Sequence, residues 1–236
     1  MVPVVRLLLI SNSTGPDGGY LDHCADAVRG FLAGFEPVLF VPFALDDEAG
    51  YGEKARGRLG EMGLEAFWAD RRSDPLTQLA GAGSVFVGGG NTFRLLARLY
   101  DTGMLEAIRD RVRAGLPYVG TSAGSNVACP TIKTTNDMPI VEPPSFSAMG
   151  LVPFQINPHY VDRDPDSSHQ GETREQRITE YLEANDTLVV ALREGAVLHI
   201  HDGGVRLEGA PARIYRRGMN VVERPPGVPL DGLLRP

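Results

Sequence analysis

Residues 116–124 read LPYVGTSAG. Leu116 to Val119 suits a strand, and the turn after it has the form G-x-S-x-G. In so tight a strand-to-helix bend, small neighbours let the backbone turn and leave Ser122 exposed on a strained main chain. Ligands of a parallel α/β sheet bind beyond the carboxyl ends of its strands, where this bend would sit.

The chain on the amino-terminal side alternates in the same way. Val4 to Ile10, Pro37 to Phe43, Leu64 to Trp68 and Ser84 to Val87 are strand-length apolar runs. Between them lie helix-like stretches. Tyr20 to Phe35 puts Leu21, Cys24, Ala25, Val28 and Leu32 on one face, and Gly52 to Met62 is a polar helix. Thr92 to Tyr100 and Met104 to Ala114 follow before the fifth strand. This βαβα order predicts an α/β fold, a doubly wound and mostly parallel sheet with helices on both faces. Its strands are apolar throughout because both faces are covered. The opening MVPVVRLLLI carries a charge inside its apolar run and is read as a buried strand, not a leader.

Beyond Ser122 the pattern changes. Residues 129–170 read as loop, because six prolines between 130 and 158 forbid long helices. A long loop inside a compact domain is usually functional. Gly171 to Ala184 reads as a helix. Leu188 to Leu192, Ala196 to His201, Gly204 to Glu208 and Ala212 to Arg216 read as short strands. The last three predict a small antiparallel meander at one edge. Residues 223–236 are expected to be irregular. No linker or repeat divides the chain, so residues 1–236 are expected to form a single hydrolytic domain.

Composition narrows the function. Of 236 residues, 42% are hydrophobic and 22% charged, which is globular usage. No apolar run reaches the roughly 18 residues of a membrane span. The formal charge of −7 gives no general attraction for nucleic acid or anionic membranes. Cys24 and Cys129 are too few for a disulfide scaffold or a closed zinc site, and read as buried thiols of a cytoplasmic protein.

The residues that carry chemistry cluster at predicted strand ends. Ser122 is a candidate nucleophile, and the Ala123 amide would point where an oxyanion forms. Gly88-Gly89-Gly90-Asn91-Thr92 follows the strand SVFV and offers free backbone donors. It is not a nucleotide loop, since Phe93 stands where G-x-G-x-x-G needs glycine. A serine nucleophile needs a base. His159 lies in the segment INPHY, read as loop. His199 and His201 share a strand face and are the rival bases of an α/β-hydrolase order, or a weak metal pair. Glu194, at the end of a strand, and Asp137, in TTNDMP, are the candidate acids. His23 and His169 lie on a helix and in a polar loop.

SNST, VGGGNTF, GTSAGSNVACPTIKTTNDMPIVEPPSF, LVPFQINPHY and GETREQR together resemble the peptidase E family of α-aspartyl dipeptidases, a serine peptidase family. The resemblance runs from about Leu8 to Gly195. It implies a flavodoxin-like fold similar to the class I glutamine amidotransferases, whose elbow carries a cysteine where this chain has Ser122. It implies a triad of Ser122, His159 and Glu194, with Asp137 the alternative acid. It assigns Arg174 to the substrate's β-carboxylate, which a planar guanidinium grips with two donors. Asn91 and Thr92 are expected to line that pocket, and Gly89, Gly90 and Ala123 to form the oxyanion hole.

The implied reaction hydrolyses Asp-Xaa dipeptides through an aspartyl-enzyme, with no metal or cofactor. The segment between His159 and Gly171 is a candidate lid. The expected partner is a small peptide, with no nucleic acid and no membrane, and a homodimer is left open. The alternatives are a cyanophycinase-like or isoaspartyl hydrolase of the same family, a non-catalytic small-molecule binding module, and an esterase using His199 or His201.

Overall fold

The computed structural model describes residues 5–15, 18–163 and 171–234. Its larger sheet begins with β1 (Leu7–Ile10), β2 (Val38–Val41), β3 (Ala66–Trp68), β4 (Ser84–Val87) and β5 (Tyr118–Thr121). These five run parallel in the order β3-β2-β4-β5-β1.

The helices between them are α1 (Ala25–Leu32), α2 (Glu48–Glu61), α3 (Pro75–Ala80), α4 (Thr92–Asp101), α5 (Met104–Arg113) and α6 (Ala123–Val127). Side chains alternate across a strand, so β1 feeds two cores. Leu8 and Ile10 pack with Val28, Leu32, Ala55 and Leu59 of α1 and α2. Leu7 and Leu9 join the cluster of Leu95, Leu96, Ile108 and Val112 from α4 and α5. The sheet is therefore wound on both faces, as the alternation predicts.

The predicted elements need local corrections. The stretch from Tyr20 opens with a 3₁₀ turn, Asp22–Cys24, before α1 begins. Helix α2 starts ahead of Gly52, because the Asp47 side chain caps it by accepting from the Gly50 amide. Helix α3 is an addition to the predicted elements; Asp74 accepts from the Leu76 and Thr77 amides, and Pro75 fits the first turn, where no amide donor is needed.

The larger departure is a second sheet. It contains β6 (Gln155–Tyr160), β7 (Val189–Arg193), β10 (Ala212–Tyr215) and β11 (Val222–Arg224), in the order β11-β10-β7-β6. Strands β6 and β7 are parallel, and the other pairs antiparallel. So part of the stretch read as loop is a buried strand, and the tail supplies another. The expected meander is split: β8 (Val197–His201) and β9 (Gly204–Glu208) extend the larger sheet antiparallel beyond β1, while β10 joins the smaller one.

Helix α7 (Arg174–Ala184) covers the outer face of the small sheet through Ile178 and Leu182, packed with Tyr160, Val189 and Tyr215. The inner face, with Ile156, Val190, Leu192 and Ile214, shares one apolar cluster with the larger sheet. The ends of β6 and β7 are thereby held against the ends of β1 and β5. His169 and most of the candidate lid fall outside the described residues.

Candidate active site

Ser122 stands between β5 and α6 with φ 51° and ψ −108°. A side chain rarely adopts that backbone. Its neighbours enforce it. The Ser122 amide donates to the Ile10 carbonyl at 2.9 Å, and the Ser125 hydroxyl reaches the Ile10 and Gly120 carbonyls, each at 2.8 Å. Glycine is needed on both sides. A Cβ on Gly120 would meet the Gly124 carbonyl oxygen at 2.6 Å, and one on Gly124 would strike the Val87 carbonyl. The G-x-S-x-G reading is thus a steric statement about how closely α6 approaches β4 and β5.

His159 reaches the serine from the other sheet. It lies on β6, not in a loop, at a register shift between Asn157 and Tyr160, and its φ is also 51°. This bulge turns the imidazole toward the larger sheet. Its Nε2 is 3.0 Å from Ser122 Oγ, and its Nδ1 is 2.9 Å from Glu194 Oε1. A carboxylate can only accept, so Nδ1 carries the hydrogen and Nε2 is left free to take one from the hydroxyl. Glu194 follows β7, so the acid comes from the small sheet beside its histidine rather than from the larger one.

The end of β1 ties the two sheets together. The Ser11 hydroxyl donates to the Leu192 carbonyl at 2.8 Å and accepts from the His159 amide at 2.9 Å. Ser11 is fully buried. Asn12 accepts from the Gly195 amide at 2.7 Å, next to Glu194. Ser11 and Asn12 so fasten the segments that carry the histidine and the acid. The signal was the polar run SNST directly after the first apolar strand.

Asp137, the alternative acid, is engaged elsewhere. Its Oδ2 accepts from the Thr92 amide at 2.8 Å, the Thr92 hydroxyl at 2.6 Å and the Thr135 hydroxyl at 3.2 Å. Thr92 is fully buried, and Asn91 caps α4 while donating to the Met138 carbonyl at 2.9 Å. The side chains of both are thus committed to holding the 135–138 loop. Asn136 in that loop donates to the Pro158 carbonyl at 2.7 Å, bracing the residue before His159.

Around the turn of residues 88–92, the Gly88 amide binds the Val41 carbonyl and the Asn91 amide the Ala44 carbonyl, both at 3.1 Å. Gly89 and Gly90 lie between these anchored amides, and Gly89 abuts Ser122. Ala123 is the first residue of α6, where an amide has no intrahelical acceptor.

Arg174 opens α7 behind the Thr173–Gln176 capping box. It shares a cleft with Asn136 and Met138. Burial lowers its pKa, as does Arg177, and the Asp137 charge opposes them.

His199 and His201 are not placed as bases for Ser122. His199 Nε2 lies 3.0 Å from Glu208, poorly aligned for a hydrogen bond, and its ring packs edge-on against Phe31. His201 faces Asp202 at 2.7 Å. Each has its own carboxylate. Among the described residues no group of three His, Cys, Asp or Glu side chains is placed to hold a metal. Cys129 is buried and its thiol is pushed up to about 12, so it is no substitute nucleophile.

An ion-pair lattice flanks the site. Arg193, next to Glu194, grips Asp162 with two donors, at 2.7 and 3.0 Å, and also pairs with Glu223. Arg213 joins Glu223 at 3.0 Å to Glu175 at 3.3 Å. The Arg193 guanidinium holds both Asp162 and Glu223 below the usual carboxylate range.

A nucleophile, a base and an orienting acid in hydrogen-bonded series can perform acyl transfer. Comparison with known proteins agrees. The model of Peptidase family S51 matches residues 7–208. A Streptomyces coelicolor protein named Peptidase E is 52% identical over 231 residues, 98% of this chain and 95% of its own. A Drosophila melanogaster protein named Probable alpha-aspartyl dipeptidase is 40% identical over 239 residues, covering 100% of both chains. The crystal structure of a peptidase from an acI-B1 Actinobacterium superposes with a TM-score of 0.70 over 96% of each chain; at 17% identity this likeness concerns the fold. No helix among the described residues is long and apolar enough to cross a membrane. The family match spans the whole larger sheet, strands β6 and β7 of the smaller one, and every residue of the Ser122, His159 and Glu194 series, and on it the chain belongs to peptidase family S51.

Proposed function

We propose that this protein is a serine dipeptidase that hydrolyses Asp-Xaa through an aspartyl-enzyme. The observation that carries the reading is the unbroken series from Ser122 through His159 to Glu194. His159 Nε2 takes the hydroxyl proton as Ser122 Oγ attacks the aspartyl carbonyl carbon. Glu194 orients the imidazole and stabilises its charged form. The amides of Gly89, Gly90 and Ala123 receive the oxyanion. His159 then gives its proton to the leaving amine as the C–N bond breaks. Water, deprotonated by the same nitrogen, attacks the ester, and Ser122 recovers its hydrogen.

Arg174 supplies the aspartate preference. An arginine fork suits a β-carboxylate, and partial burial strengthens the pairing. Asn91 and Thr92 serve that pocket indirectly, by fixing Asp137 and Met138 beside it. The whole chain acts as one hydrolytic domain, supported by the apolar cluster shared between its sheets. Free, buried cysteines fit a cytoplasmic setting.

The deciding experiment is hydrolysis of Xaa-Leu with Xaa Asp, Asn, Glu or Ala, beside β-aspartyl-leucine. Asp-Leu should lead by a wide margin, because an amide leaves the guanidinium unpaired. Preferential cleavage of the β-aspartyl peptide would place the protein with the isoaspartyl hydrolases instead.

A further inference from the structure

A second cavity, of about 400 Å³, opens beside Gly89 and Gly90. It adjoins the nucleophile, since a Cβ built on Gly89 would come within 3.1 Å of Ser122 Cβ. It is separate from the cleft of Arg174, Asn136 and Met138. Its walls come from the segment after β1 (Ser13, Thr14, Tyr20) and from α2 (Tyr51, Lys54). Gly89, beside Ser122, thus borders a cavity that holds a lysine, while Asn136, which braces the residue before His159, borders the cleft that holds an arginine.

Lys54 is exposed, and its Nζ stands 5.0 Å from the centre of the Tyr20 ring. Among the described residues no carboxylate pairs with it. Asp47 also lines the cavity, but its carboxylate is turned onto the first turn of α2, accepting from the Gly50 amide at 2.8 Å. The Tyr20 hydroxyl is buried beside that of Tyr51; burial raises its pKa, and the Tyr51 hydroxyl adds to the rise. The cavity thus offers a cation on an aromatic platform, with no carboxylate bound to it among the described residues.

Acyl transfer demands two places, one on each side of the carbonyl carbon. With the aspartyl side chain on Arg174, the amine that leaves must lie on the other side of Ser122. In a dipeptide that leaving group is a free amino acid, and it ends in an α-carboxylate. A longer peptide or an amide carries no charge at that point. We propose that the Lys54 cavity receives the leaving residue and that Lys54 pairs with its carboxylate, which makes the chain's end, rather than the identity of the second side chain, the feature recognised. This rests on the Asp-Xaa reading above. A flexible lysine in an open cavity suits the task, because it follows the carboxylate while the second side chain varies.

The test compares kcat/KM for Asp-Leu, Asp-Leu-amide and Asp-p-nitroanilide, in the unmodified protein and in Lys54→Met and Lys54→Arg. The unmodified protein should favour Asp-Leu over its amide by about tenfold or more, the worth of one hydrogen bond to a charged group. Lys54→Met should lose that preference through KM, leave the two uncharged substrates unchanged, and be rescued in part by Lys54→Arg. Equal use of acid and amide by the unmodified protein, or an equal loss on all three substrates in Lys54→Met, would overturn the proposal. Failure of the unmodified protein to cleave any of the three would instead overturn the dipeptidase reading, and this proposal with it.

Discussion

Ser122 and His159 are both held at φ 51°, and their side chains meet at 3.0 Å. One stands at the carboxyl end of the larger sheet and the other on a bulge of the smaller one. Strain of this kind costs on the order of 1–3 kcal/mol per residue and persists only where the surroundings over-determine it. Here they do, through Ile10 for the serine and Ser11 for the histidine. Consecutive residues of one segment thus hold both partners of the proposed proton transfer.

Ser11→Ala tests that fastening. It would leave the His159 amide and the Leu192 carbonyl without their partner, at a cost of about 1–3 kcal/mol in stability. Urea unfolding should register the loss. Turnover should fall through kcat while KM for Asp-Leu holds, since Ser11 lies behind the histidine rather than in the substrate cleft. An unchanged kcat in a destabilised variant would reduce Ser11 to a packing role.

The two candidate acids separate by what each variant changes. Glu194→Gln keeps the shape but removes the charge that stabilises the imidazolium, and should lower kcat by roughly 10²–10⁴ with little change in melting temperature. Asp137→Ala strips the Thr92 amide and hydroxyl of their acceptor, so it should lower stability along with activity. A stable Asp137→Ala protein combined with a fully active Glu194→Gln protein would reverse the assignment.

Acid sensitivity should trace to Arg193. Asp162 and Glu223 titrate lower in the folded chain than in the unfolded one, chiefly through hydrogen bonds from Arg193. Their contribution is complete above the unfolded carboxylate values of about 4, and is lost as pH falls through the lower folded values. Urea midpoints from pH 7 down to about 2.5 should therefore converge for the unmodified protein and Arg193→Met. A constant gap between them would remove the carboxylates from the explanation.

The parallel core was legible because its strands are apolar on both faces and its turns are marked by glycine. Ser122 was legible for the same reason, since G-x-S-x-G records a close approach of backbones. The strand under His159 was not, because Pro158 and the bulge break the alternation that identifies strands, and its partner β7 lies about thirty residues further on. The second sheet was hidden likewise: β10 follows β9 in sequence but leaves it in space, which local turn signals do not record. The roles of Ser11 and Asn12 depend on contacts across more than 140 residues, which no local pattern carries.

The most direct measurement is Asp-Leu hydrolysis by the unmodified protein and by Ser122→Ala, each in the presence of chelator, with mass spectrometry of the unmodified protein after a serine-reactive phosphonate. Ser122→Ala should lose on the order of 10⁴ or more in turnover, and the label should lie on Ser122 alone. Full activity in Ser122→Ala, or a label on another residue with Ser122 unmodified, would contradict the proposed nucleophile.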